Sequence, residues 1–133
     1  MNITYEKTKI KILAWSIEDW IDLYFFSSII EEYYKYKNSE LLKKATLQFI
    51  KDVLEKDLMK AGDLLKGNIF KLWSKETTEI AQEIQKKWDN LGRKLYPHEI
   101  VWFDITEKGR KEFEYLNTLP ELKETDPFYF DDK

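Results

Sequence analysis

The sequence predicts an α+β domain dominated by helices. Three observations point there. Long stretches carry apolar residues at helical spacing, short apolar segments sit between turn residues, and no linker divides the chain. Only 4 Gly and 3 Pro occur in 133 residues, and they act as punctuation. One domain is expected over residues 8–118, followed by an acidic, aromatic tail over 119–133. With 43% hydrophobic and 16% aromatic residues, the chain has ample material for a core, which excludes wholesale disorder.

The elements read in order as follows. Residues 8–14 alternate lysine and isoleucine (Lys9, Ile10, Lys11, Ile12), which suggests a short strand. Ser16 then reads as an N-cap, with Asp19 three residues on. A helix is expected from about Ile17 to Lys37, apolar almost all the way round and hence buried on most sides. Asn38 and Ser39 offer the next cap, for an amphipathic helix from Glu40 to about Met59 with Gly62 as its left-handed stop. Gly67-Asn68 is a hairpin dipeptide, with Leu64-Leu65 and Ile69-Phe70 as short strands on either side. Ser74 caps a helix over about 75–90, striped by Ile80, Ile84 and Trp88 and stopped at Gly92. Residues 100–105 form a short apolar strand, and Thr106 caps a last helix from Glu107 to about Leu116. About four helices result.

Charge narrows the partners. The formal net charge is -3. Residues 120–133 hold five acids against two bases, and the remainder carries twenty of each. A neutral body with an acidic tail gives nucleic acid or an anionic membrane little to grip. The 75–90 helix is itself net acidic, unlike a major-groove recognition helix. The only candidate basic patch is Lys108, Arg110 and Lys111. The most apolar stretch, Ile17 to Ile30, contains Glu18, Asp19 and Asp22 and is too short to span a bilayer, and the N-terminus lacks a signal peptide's apolar run. A cytoplasmic protein with no membrane contact is expected.

Reactive chemistry is scarce. Cysteine is absent and there is one histidine, His98, in a Tyr-Pro-His-Glu loop. That excludes disulfides, thiol catalysis and multi-histidine metal centres. No glycine-rich phosphate loop is present, and Glu18, Asp19 and Asp22 fit a helix start better than a paired-carboxylate site. No catalytic residue, metal ligand or cofactor is therefore assigned. The five tryptophans, Trp15, Trp20, Trp73, Trp88 and Trp102, mostly fall at element boundaries. Tryptophans there serve as core plugs with a wet edge or as interface anchors. Tyr33, Tyr34 and Tyr36, near the end of a helix, are candidate partner contacts, as are Asp126, Phe128, Tyr129, Phe130, Asp131 and Asp132 in the tail.

Four motifs stand out: Trp15 to Trp20 (WSIEDW), Leu58 to Asp63 (LMKAGD), Trp88 to Arg93 (WDNLGR) and Val101 to Arg110 (VWFDITEKGR). In this order they resemble a group of small bacterial proteins. The last is similar to the ending of winged-helix domains, where a strand leads through Thr-x-x-Gly-Arg into a helix. That resemblance implies a winged-helix-like single domain, with Thr106 capping the helix and Gly109 permitting close packing of its first turn. Small acidic bacterial proteins without a catalytic constellation also include toxin-neutralising immunity proteins. The functional expectation is thus a non-enzymatic protein-binding module, in the immunity-protein form holding a basic toxin domain. The alternative is a winged-helix DNA-binding regulator using Lys108, Arg110 and Lys111, with the Gly67-Asn68 hairpin as wing.

The charge arithmetic yields a direct test. Random duplex DNA should bind more weakly than about 1 μM at about 150 mM salt, because few cations are available to displace counterions. Fluorescence anisotropy measures this, and submicromolar binding with a steep salt dependence contradicts it.

Overall fold

The computed structural model describes residues 2–122. In chain order these form α1 (Ile3–Glu18), β1 (Ile21–Asp22), α2 (Leu23–Tyr34), α3 (Ser39–Glu55), β2 (Met59–Leu65), β3 (Ile69–Leu72), α4 (Thr77–Asp89), β4 (Trp102–Ile105), α5 (Glu107–Leu116) and a 3-10 turn at Pro120–Leu122. The strands make one antiparallel sheet in the order β1-β4-β2-β3. The fold is α+β and mostly helical, as the sequence predicts.

The largest departure lies at the start. Residues 8–14 are not a strand but the middle of α1, and Thr8 to Ala14 are all buried. Alternation of Lys with Ile suggests a strand only if the lysines face water. Here they do not. Lys9 Nζ lies 2.7 Å from Glu112 of α5, and Lys11 Nζ lies 2.7 Å from Glu32 of α2. Asn2 caps α1, its side chain accepting from Tyr5 N at 3.0 Å, and Ser16, expected to cap a helix from Ile17, lies inside α1 instead. The Ser16 hydroxyl donates back to Ile12 O at 2.7 Å, as mid-helix serines do.

The single helix expected over 17–37 is broken at its head. Asp22 Oδ1 accepts from Phe25 N at 2.8 Å and so caps a separate α2. With α1 standing where a strand was expected, there are five α-helices among the described residues rather than about four. Lys35, in the left-handed region at φ 53°, closes α2, whose last residue is Tyr34, three residues short of the expected Lys37. Asn38 caps α3 through Leu41 N at 2.9 Å, but α3 stops at Glu55 and Met59 already belongs to β2. Gly62 is therefore a strand residue rather than a helix stop.

The hairpin expected at Gly67-Asn68 is present, with both residues at positive φ (81° and 57°). Ser74 does not cap α4, which begins after Glu76 without a side-chain cap. Gly92 has the left-handed backbone expected of it, φ 61°. Thr106 caps α5, accepting from Gly109 N at 2.9 Å while its hydroxyl donates to Asp57 O at 2.6 Å.

The inner face of the sheet (Ile21, Met59, Ala61, Phe103, Ile105) is buried and meets the helices. Phe26 of α2 sits between Phe49 of α3 and Phe103 of β4, with ring centroids 5.9 and 5.1 Å away. Trp73 and Trp88 belong to this core, whereas Trp15, Trp20 and Trp102 are half-buried.

Gly109 seats α5 against Leu58, in the connection between α3 and β2: a Cβ there would fall 2.1 Å from Leu58 O, a backbone atom. Gly109→Ala should cost about 2–3 kcal/mol. Lys108→Ala, on the exposed side of the same turn, should cost under about 0.5 kcal/mol. Urea unfolding of both variants checks this, and equal losses would refute the packing role.

Candidate functional site

Strand register assigns side chains to the two faces of the sheet. Residues paired across strands share a face, and neighbours along a strand alternate. Gly62 pairs with both Trp102 and Leu72, Leu64 with Phe70, Lys60 with Asp104 and Asp22 with Trp102. The outer face thus carries Asp22, Lys60, Gly62, Leu64, Phe70, Leu72, Trp102 and Asp104. Among these only Asp22 and Gly62 are buried. The rest are half-buried or exposed, Leu72 at 44%.

This face is aromatic. The Trp20 ring lies 5.8 Å from Phe70, and His98 stacks on Trp102 at 5.2 Å. Gly62 makes the arrangement possible. A Cβ at Gly62 would stand 2.7 Å from the Phe70 ring and 2.5 Å from Lys71 O, so the ring lies directly over bare backbone. The charged residues of the face are Lys60, opposite Asp104, and the buried Asp22, one base against two acids.

The loop between α4 and β4 frames one side of the face under strain. His98 and Ile100 both have positive φ, 70° and 74°. For a β-branched residue such as Ile100 that conformation is a true outlier, and surrounding contacts have to hold it. They do. Asp22 Oδ2 accepts from His98 N, so one carboxylate both caps α2 and pins the loop. Arg93 grips Glu99 with two hydrogen bonds of 2.9 and 2.7 Å and lies over the Tyr96 ring at 4.3 Å. The Glu99 carboxyl is held down to about 2, first by Arg93 and then by Tyr96 N. The strained loop is thus held in place beside the half-buried aromatics of the outer face.

The residues singled out from sequence fall elsewhere. Tyr33, Tyr34 and Tyr36 are half-buried. Tyr34 and Tyr36 stack on each other at 5.7 Å, and Lys11 Nζ lies 5.7 Å from the Tyr33 ring centre. Burial, and then Tyr36, push the Tyr34 hydroxyl above its ordinary value. Asp126, Phe128, Tyr129, Phe130, Asp131 and Asp132 lie outside the described residues. Lys108, Arg110 and Lys111 are exposed on α5, which also carries Glu107, Glu112 and Glu114. They stand beyond the Met59–Ile105 end of the β2–β4 pair, whereas Gly67-Asn68 lies at the other end of β2, roughly 20 Å away.

A groove of about 870 Å³ opens between α2, the first turn of α3 and the end of α4. Its walls mix cations with carboxylates, and Lys43 there is held by Asp89 at 2.9 Å. The groove serines Ser27 and Ser28 donate to Tyr24 O, not to a base. Among the described residues no group of three or more His, Asp or Glu side chains could hold a metal ion, and no helix is long and apolar enough to cross a membrane.

Sequence reasoning passed over Phe70, Leu72 and Gly62 as site residues. The signal was present: extending the hairpin two residues each way from Leu64 and Phe70 places Gly62 opposite Leu72.

The Arg93–Glu99 clasp predicts a pH response. A carboxyl lowered by folding contributes fully above its ordinary value near ~4.3 and loses that contribution as pH falls toward about 2. The Tyr96 amide should therefore shift in NMR spectra between about pH 4 and pH 2, and Glu99→Gln should abolish that titration. An unchanged Tyr96 amide across this range would contradict the clasp.

No protein-family model, curated protein or solved structure matches the chain.

Proposed function

We propose that this protein is a non-enzymatic protein-binding module whose contact surface is the outer face of the sheet. The observation that carries the reading is the half-buried aromatic cluster Trp20, Phe70 and Trp102 on the outer sheet face, with His98 stacked at its edge. Aromatic side chains on rigid strands supply large contact area at low entropic cost, and Trp and Tyr dominate interface energetics. With Lys60 set against Asp22 and Asp104, the face has no cationic excess for a polyanion, which favours a protein. Neutralisation of a toxin is the finer form of this reading. It is supported by the acidic excess of residues 120–133, which would speed capture of a basic domain.

Affinity capture from extracts of the source cell tests the module reading. Trp20→Ser combined with Trp102→Ser should reduce recovery of a wild-type-bound partner by about tenfold or more, the loss of two hot-spot aromatics. Circular dichroism establishes that the variant remains folded. Equal recovery by a folded double variant refutes the surface assignment. The toxin form has its own readout: co-expression with the product of the adjacent gene should restore growth, and the double variant should not.

A further inference from the structure

Helix α1 is unusual in being buried all the way round. Thr8 to Ala14 span nearly two turns, and every one of them is buried. A helix in that position needs cover on each side. Among the described residues α2, α5, β4 and the Pro120–Leu122 turn pack against it. That turn fixes where the described chain ends. It lies on α1, and Leu122, its last residue, is 2% exposed.

The seam between α1 and α2 is lined with rings. Lys11 and Trp15 stand one turn apart on α1, and Phe25 and Tyr33 stand two turns apart on α2. The Trp15 and Phe25 rings meet edge to face at 5.5 Å, and the Lys11 ammonium lies 5.7 Å from the Tyr33 ring centre. These side chains thus share one line along the two helices. All three rings are half-buried. Lys11 is bonded to Glu32 at 2.7 Å, so the seam offers ring surface rather than charge.

The chain itself carries a segment of matching chemistry. Residues 123–133, which lie outside the described residues, read KETDPFYFDDK, with an apolar run from Pro127 to Phe130. Proline biases the residue before it towards extended backbone, and in an extended run Phe128 and Phe130 share one side with Tyr129 opposite. Phe128 is six residues past Leu122. Six extended residues reach about 20 Å. Trp15 is about 18 Å or less along the axis from any residue of α1, so the tether is long enough to bring the aromatic pair to the seam. So short a tether also holds the segment at a local concentration on the order of millimolar, ahead of a free partner competing for the same rings.

We propose that residues 123–133 dock on the α1–α2 seam as a strap, with Phe128 and Phe130 against Trp15, Phe25 and Tyr33. The inference stands apart from the protein-binding reading. It gives the aromatics of the tail to the chain's own core and leaves the outer sheet face to the partner.

The absence of cysteine makes the test clean, because Asp132→Cys accepts a single nitroxide label. On the full chain the label should broaden the amide signals of Trp15, Phe25 and Tyr33 more strongly than those of Phe70 and Trp102. Phe128→Ser combined with Phe130→Ser should remove that difference and lower the melting temperature of the free protein by about 5 °C or more. The label is read on the otherwise native chain, so it decides even where the double variant fails to fold. Any of four results overturns the strap. These are uniform broadening, stronger broadening at Phe70 and Trp102, a double variant that melts with the native chain, or broadening that passes from a labelled chain to an unlabelled one in a mixture. The last would mean that the tail reaches a second copy. Partner capture by the Trp20→Ser, Trp102→Ser variant is read separately, so failure of the strap and failure of the sheet-face reading are distinct.

Discussion

Helix α1 runs through the interior with Lys9 and Lys11 almost wholly buried, and each ammonium needs a carboxylate close by. An unpaired buried charge costs several kcal/mol, so the positions of Glu112 and Glu32 are constrained as tightly as any apolar contact. Lys9 ties α1 to α5, and Lys11 ties it to α2. Glu112 and Glu32 keep 30% and 23% of their side-chain surface in solvent, so each pair spans from the core to its rim. The helix also touches β4 and the Pro120–Leu122 turn. With α1 fixed on these sides, the inner sheet face has one way to close, Phe103 against Phe26.

The same pairs explain where the sequence misleads. A residue pattern reports a helix or a strand only through the assumption that charged side chains seek water. Around Lys9 and Lys11 that assumption fails, and a period of two appears inside a helix. The helix expected over 17–37 hid its break because the segment is apolar on both sides of Asp22, whose cap is local but whose second oxygen meets a loop nearly eighty residues away. The elements read well were those with local chemistry: Asn38 and Thr106 as caps, Gly67-Asn68 as a turn, Gly92 as a stop. The aromatic face was half legible. Trp20 and Trp102 drew attention as boundary residues, but their joining with Phe70 depends on strand order, which no local pattern encodes.

Asp22 links fold and site in one carboxylate. One oxygen caps α2 and the other holds the backbone of His98. The strained loop is thereby fixed to the same short strand that pairs with β4, so the stacking of His98 on Trp102 is held from within the chain. A surface prepared in this way gives up little side-chain freedom on binding, which is how a modest aromatic patch can be selective.

Strand order has a consequence for the history of the chain. β4, the last strand made, lies between β1 and β2, the first two. A chain that stops before Trp102 can close the β2–β3 hairpin, but β1 then has no neighbour and the other edge of β2 is left unpaired. Cooperative closure has to wait for contacts about forty to eighty residues apart, which places this small domain toward the slower end of folding for its helix content. Until then Leu65, Ile69 and Leu72 are presented to whatever is nearby, and Lys66 and Lys71 are the charges that keep neighbouring nascent chains apart.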